Sequence, residues 1–372
     1  GMVYRDGQNI IIMPKRDSVC DMDLLPFPYT CEDIEANKNK LIYYETSRGC
    51  PYKCIYCYWA RSGTSFREFP IARVKEDIKW MATHGIGYCV CADSNFGILE
   101  RDEIIADYVI EMKKAYGFPE KFETAAAKNK DDFTFKINNK LEKCNLNRGV
   151  SVAVQSMSPT TLEIIGRKNM SVSNLSTQLK KYRLHNIDTY TDLILGLPGE
   201  TLDSFCRGVC EVIEAGQHYS VSIHRLEIFP NTALYSDELQ NKYKIKTIRS
   251  QLCQHHSKIE NCDINMSSRS EIVVSTSTMS QEEWKTAFET STCIQSFHCL
   301  GLLRFIAVYL RKAQNISYYD FYKNLFEWIK SKSKTVKEIL DITFVTVDSF
   351  LRGKSNLFFA DNKFGDIYWA FD

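Results

Sequence analysis

The chain has 372 residues, 44% hydrophobic and 25% charged, with 47 basic against 46 acidic side chains and a formal net charge of +1. That balance describes an ordinary globular protein with room for one large core and an appendage. It lacks the basic excess that steers nucleic acid, and Lys15-Arg16 and Lys180-Lys181 are too short to make a patch, so no nucleic-acid partner is expected.

The first 37 residues read as a linker, with a small hairpin around Asp6-Gly7 followed by the turn-rich DMDLLPFPYT. Gly1 before Met2 reads as a tag remnant, so the chain is expected to be cut from something longer.

Residues 38–235 alternate strand and helix patterns six times. The strands are expected at 41–46, 87–93, 121–127, 149–156, 187–196 and 218–229, each β-branched or aromatic and bounded by Gly, Asn or Asp. One helix opens at Pro70 and closes at Gly85, with Ile71, Val74, Ile78 and Met81 on one face; another runs from Arg101 to Tyr116 and closes at Gly117. This alternation calls for an α/β fold with a parallel sheet. Six units fall short of eight, so a partial (β/α)6 TIM-like barrel is expected, with its site at the C-terminal strand ends.

After Pro230 the character changes, and 236–372 is read as a mainly helical C-terminal extension that closes the barrel mouth. Residues 236–270 are polar with weak periodicity, 271–279 are strand-like, and Ser280-x-x-Glu283 is a capping box. Amphipathic helices follow near 317–331 and 334–351, and the aromatic tail (Phe358, Phe359, Phe364, Tyr368, Trp369, Phe371) is rich enough to fold back on the core. The most apolar stretch, 293–310, contains Gln295, His298 and Arg304, and reads as a buried helix rather than a membrane span. No signal peptide is recognised, and no membrane association is expected.

Fourteen cysteines are scattered through a chain too long to need disulfide staples, which points to a reducing cytosol. Cys89 with Cys91, and Cys206 with Cys210, read as small buried hydrophobes. Cys50, Cys54 and Cys57 differ. They lie in SRGCPYKCIYCYW, with three residues and then two between them. A cytosolic triad this tight holds three corners of a 4Fe-4S cluster, and the next cysteine, Cys89, is more than thirty residues on. The fourth iron is then open to a small molecule. The competing reading is a zinc knuckle, which wants a fourth Cys or His close by; Cys20, Cys31 and His84 are the nearest. The cluster loop follows the first strand, at the mouth where the fold class gathers chemistry. His84, His185 and His255-His256 lack metal-ligand spacing, while His224 alternates with Arg225 along the sixth strand and is a candidate substrate contact.

C-x3-C-x2-C with an aromatic, Tyr56, before the last Cys resembles the signature of the radical S-adenosylmethionine (SAM) enzymes. That resemblance covers about two hundred residues and implies a 4Fe-4S cluster whose open iron is chelated by SAM. It implies that ADSNFG, after the second strand, meets the SAM amino group through Asp93, Ser94 or Asn95, in place of a Gly-Gly-Glu pattern. Lys128 and Asn129, ending the third strand, face the same mouth. The VQS…GR element is similar to the coproporphyrinogen-dehydrogenase and methylthiotransferase branches, where Gln155 and Ser156 would lie by the SAM methionine and ribose and Arg167 would clamp the carboxylate. In TDLILGLPGET, Asp192 would bond the ribose hydroxyls and Gly196 would run beside the adenine, with Glu200 assigned only to the helix start.

MVYRDG…DMDLLPFPY, DSNFGILERDEI and EIVVSTSTMSQEEW resemble the linker, barrel and C-terminal parts of cobalamin-dependent (class B-like) radical SAM proteins, with the cobalamin-binding domain absent and no D-x-H-x-x-G string. The resemblance implies hydrogen abstraction by a 5′-deoxyadenosyl radical and, as an extension, C-methylation of a small-molecule or peptide substrate, with flavodoxin or ferredoxin as electron donor. The alternatives are a cobalamin-independent oxidoreductase of the coproporphyrinogen-dehydrogenase type and a non-catalytic iron-sulfur or zinc module.

Overall fold

The computed structural model describes residues 2–14, 17, 19–36, 41–60, 66–128, 131–251, 269–354, 359–361 and 365–367. Lys15-Arg16, Asn129, His255-His256, Phe358, Phe364, Tyr368, Trp369 and Phe371 lie outside the described residues.

Each of the six expected strands overlaps an observed one, and the second runs past its expected end at 93 to Phe96, so Ser94 and Asn95 lie on the strand and not in a loop after it. Strands β1 (Leu41–Tyr44), β2 (Tyr88–Phe96) and β3 (Lys121–Ala126) form one parallel sheet in that order, with Ile42 opposite Cys89 and Val90 opposite Glu123. Strands β4 (Val150–Ser151), β5 (Thr189–Leu195) and β6 (Val221–Arg225) form a second, with Val150 opposite Thr189 and Leu193 opposite Ile223. Among the described residues no ladder closes β6 onto β1, as an open barrel requires, and none joins β3 to β4, so the six strands stand as two three-stranded sheets in place of one continuous sheet. The Phe122 N–H donates to Leu146 O at 2.9 Å, which ties β3 to the chain entering β4.

β4 is much shorter than its sequence pattern. The extended chain beyond it still bonds β5, through Val152 N to Tyr190 O at 2.8 Å and Val154 N to Asp192 O at 3.2 Å. It then turns at Gln155, whose φ of +66° ends regular pairing.

Helix caps fall where the sequence put them. Ile71–Thr83 starts after Pro70, and its buried Val74, Ile78 and Met81 share a core with Ile42, Tyr44, Cys89 and Cys91. Glu100–Tyr116 ends at Gly117, in the left-handed region at φ +82°. The N-terminal hairpin pairs Val3–Asp6 with Asn9–Ile12.

The C-terminal part belongs to the second core. Trp284, Phe288, Tyr322 and Phe350 bury themselves with Leu193, Leu195, Val209, Val212 and Val221. Helix Gln281–Ile294 has the expected Ser280/Glu283 capping box, and helices Tyr318–Lys332 and Lys334–Leu351 follow. The polar stretch from 236 holds a short helix, Asp237–Lys242, and a strand β7 (Lys246–Gln251) that pairs antiparallel with β8 (Arg269–Ser275). One-sided exposure dilutes the apolar signal of such an edge strand. β8 in turn docks on the chain leaving β6, with Ile228 N to Glu271 O at 2.9 Å and Val273 N to Leu226 O at 2.8 Å.

The apolar run 293–310 is not one buried helix. A π-turn at Gln295–Cys299 and a positive-φ Gly301 break it before helix Arg304–Gln314, leaving Leu300, Leu302 and Phe305 exposed. The wider turn is what directs the fully buried His298 between His218 and Tyr322. Among the described residues no single helix is long and apolar enough to cross a membrane.

Candidate active site

The loop that leaves β1 carries all three motif cysteines, and the end of β2 clasps its first half. Asp93, buried, accepts from Thr46 N and Oγ1 at 2.6 and 2.5 Å and from Ser47 N and Oγ at 3.1 and 2.8 Å. Burial raises the Asp93 pKa, while these donors oppose that shift. The Ser94 hydroxyl donates to Gly49 O at 2.7 Å. The Asn95 amide donates to the Cys50 sulfur at 3.3 Å and to Ser94 Oγ at 3.1 Å, while its Oδ1 is buried with no partner. Three consecutive residues therefore grip positions 46 to 50 in order.

The second half of the loop docks on the other sheet. Ile55 donates its N–H to Ile165 O at 3.1 Å and accepts from Leu234 N at 2.9 Å. Gly166, at φ +69°, lies so close that a Cβ there would meet Lys53 O at 3.1 Å. Tyr56 packs beside Ile165, Ile194 and Leu197; burial pushes its phenol pKa up, and Arg167 partly offsets that. Tyr52 donates to Lys128 O at 2.9 Å.

Lys128 is half-buried. Desolvation lowers its pKa and Arg167 adds to the shift, while Cys54, Cys57 and Cys50 oppose it, so the ammonium lies within electrostatic reach of Arg167 and of the three motif thiols. Arg167 is buried and donates Nε to Asn169 Oδ1 at 2.8 Å and Nη2 to Ala153 O. Asn169 fastens back to Val154 O and Ser156 O at 2.6 and 2.8 Å. Gln155 is held by its backbone, with N to Asp192 O and Ile194 N to its own O, both at 2.8 Å.

Ser156 donates to the Glu200 carboxylate, which also accepts from Ser204 at 2.5 Å. Glu200 is therefore a buried clasp between the end of the fourth strand's chain and helix Leu202–Glu214, more than a helix-start charge. Burial raises its pKa, and Ser156 and Ser204 oppose. Asp192 accepts from Ser151 at 2.7 Å and faces His224 Nε2 at 3.4 Å. Gly196, at φ +100°, admits Val273 and Trp284; a Cβ would meet Val273 O at 3.2 Å.

Several of these partners escaped sequence reasoning. Thr46, Ser47 and Asn169 are short polar side chains with no motif of their own, and only the GRKN spacing of Arg167 and Asn169 offered a signal.

The donor set suits a cluster better than a single ion. A structural zinc takes four ligands, with bonds of about 2.3 Å to sulfur, whereas the loop offers three cysteines and no fourth Cys or His. A cubane spreads three thiolates over three irons and leaves a vertex for a chelating ligand. The orphaned, buried Asn95 Oδ1 beside Cys50 is the acceptor that an ammonium-bearing ligand there would need.

Residues 44–207 match the sequence profile of the radical SAM superfamily. The chain carries a radical SAM domain. The domain's relatives include the cobalamin-dependent radical SAM methyltransferase TokK of Streptomyces tokunonensis, 30% identical over 90% of this chain and 50% of that protein. They also include the 2-(S-pantetheinyl)-carbapenam-3-carboxylate methyltransferase of Streptantibioticus cattleyicolor, 33% identical over 79% of this chain and 43% of that protein. The chain thus spans about half the length of the curated relatives it matches. Among solved structures, the cobalamin-dependent SAM radical enzyme OxsB aligns over 93% of this chain and 52% of its own, with a TM-score of 0.53 and 16% identity, a likeness of fold. Members of the superfamily use a 4Fe-4S cluster and SAM, so the domain's resident cofactors follow from its family.

Proposed function

We propose that this protein is a radical SAM C-methyltransferase. The observation that carries this reading is the convergence of Cys50, Cys54 and Cys57 with Lys128 and Arg167 at the C-terminal strand ends, together with methyltransferase relatives along most of the chain.

When bound, cluster and SAM supply a one-electron cleavage that yields a 5′-deoxyadenosyl radical for hydrogen abstraction. The chain's own residues bind and orient. Cys50, Cys54 and Cys57 hold the cluster, and Asp93 and Ser94 fix the loop that bears it. Asn95 Oδ1 accepts from the SAM ammonium, and Lys128 with Arg167 favours its carboxylate. Arg167 is pre-set for this by Asn169, so little side-chain freedom is lost on binding. Gln155 and Ser156 flank the methionine and ribose, Asp192 meets the ribose hydroxyls, and Gly196 runs beside the adenine. Tyr56 packs over the loop and keeps water out. No side chain is assigned as acid or base.

The C-terminal part from 236 closes the mouth and shapes the substrate pocket. The substrate is a small molecule or peptide, electrons come from flavodoxin or ferredoxin, and the compartment is the cytosol, in keeping with the absence of disulfides among the described cysteines. Cobalamin, as methyl donor, is supported by the name of the relative TokK and by the segments that resemble cobalamin-dependent radical SAM proteins.

Anaerobic reconstitution with iron and sulfide tests the reading. The wild type should take up about four irons per chain and release 5′-deoxyadenosine on reduction with SAM, while Cys50→Ala, Cys54→Ala and Cys57→Ala do neither. A Cys50→Ala variant with wild-type iron would overturn it. Methyl transfer is read by mass spectrometry with and without hydroxocobalamin. 5′-Deoxyadenosine without methylated product would favour the coproporphyrinogen-dehydrogenase type of reaction.

A further inference from the structure

We propose that Asn95 sets the reduction potential of the cluster bound by Cys50, Cys54 and Cys57, by donating a side-chain amide hydrogen to the Cys50 sulfur; this rests on the function proposed above.

The orientation of the amide follows from its neighbours. The Ser94 hydroxyl spends its only hydrogen on Gly49 O at 2.7 Å, so it can only accept from Asn95, 3.1 Å away. The atom facing both Ser94 Oγ and Cys50 Sγ is therefore the NH2 group, at 3.3 Å from the sulfur. Asn95 is 4% exposed, at the end of β2, and cannot turn away into water.

The loop does not need this contact to stay in place. Asp93 already takes four hydrogen bonds from Thr46 and Ser47, and Ser94 holds Gly49. What the amide adds is chemical. A hydrogen bond to a thiolate ligand withdraws electron density, favours the more negative reduced state and raises the potential. In a buried setting the effect is larger than in water. Leucine keeps the volume without the donor. Aspartate keeps an acceptor for an ammonium, loses the donor and adds negative charge.

The test is an EPR-monitored redox titration of the reconstituted protein, without SAM, for wild type, Asn95→Leu and Asn95→Asp. Both variants should keep wild-type iron. At the wild-type midpoint the ratio of reduced to oxidised cluster should fall roughly tenfold in the leucine variant, about 59 mV for one electron, and further in the aspartate variant. Wild-type protein with 15N-labelled asparagine side chains should show a nitrogen coupling to the reduced cluster that Asn95→Leu lacks. Unchanged potential with full iron, loss of iron in both variants, or absence of that coupling in wild type each overturns the role. A wild type that takes up no cluster would instead sink the proposed function.

Discussion

Asp93 and Thr46 are joined twice, the main-chain N–H and the hydroxyl of Thr46 donating to the two oxygens of one buried carboxylate at 2.6 and 2.5 Å. Ser47 repeats the arrangement at 3.1 and 2.8 Å. Asp93→Ala strands four buried donors, and each lost partner costs roughly 1–3 kcal/mol. The expected outcome is a stability loss of roughly 3 kcal/mol or more in urea denaturation and a reconstituted cluster that loses iron faster to a chelator. Stability within error of wild type would show that the carboxylate is not the loop's anchor.

Gly166→Ala tests the far side of the same loop. Its positive φ and the 3.1 Å approach of its Cβ to Lys53 O impose strain and a backbone shift together. A loss of about 1–3 kcal/mol is expected, with poorer retention of iron, whereas a neutral substitution would mean that the two segments do not touch in solution.

His298 predicts a dependence on acid. Its imidazole meets His218 Nδ1 at 2.9 Å and Tyr322 OH at 2.7 Å, and burial, helped by His218 and Arg304, pushes its pKa down to about 3 from 6.5. A folded pKa below the unfolded one means that the native state prefers the neutral ring. This contribution is complete above pH 6.5 and is lost as pH falls toward 3, at no more than about 1.4 kcal/mol per pH unit. His298→Phe should be less stable at neutral pH, yet its denaturation midpoint should fall less steeply below pH 6.5. An unchanged slope would remove His298 from the acid response.

Trp284 is fully buried, stacked on Phe288 at 5.6 Å between ring centres, and its indole nitrogen would lie 3.5 Å from a Cβ at Gly196. Trp284→Ala should cost about 3–5 kcal/mol. Because the indole backs the chain at the end of β5, SAM affinity measured anaerobically by calorimetry should weaken as well. Normal affinity in a destabilised variant would separate the core from the site.

Local signals carried much of the fold into the sequence. Pro70, Gly85 and Gly117 bracket helices through backbone restrictions that act within a few residues, and alternating β-branched runs mark the buried parallel strands. The cysteine spacing likewise marks the loop proposed to bear the cluster. What stayed hidden depends on partners far along the chain. Nothing near Asp93 says that Thr46 and Ser47 will consume its lone pairs, and nothing near Glu200 predicts the reach of Ser156. β7 was missed because its residues are polar and its partner lies beyond a long intervening stretch, while the break after His298 answers to His218, 80 residues away.

The bond between the departing sixth strand and Glu271–Val273 has a practical bearing on protein engineering. Swapping rear halves between relatives at residue 235 would tear that seam and bare Leu226 and Ile228, which are 2% and 5% exposed when it is intact. The tight reversal in which Thr276 N meets Met279 O at 2.8 Å lies past the seam and ahead of helix Gln281–Ile294. Chimeras spliced there would inherit the barrel's flank whole, and with it the wall against which the cysteine loop rests.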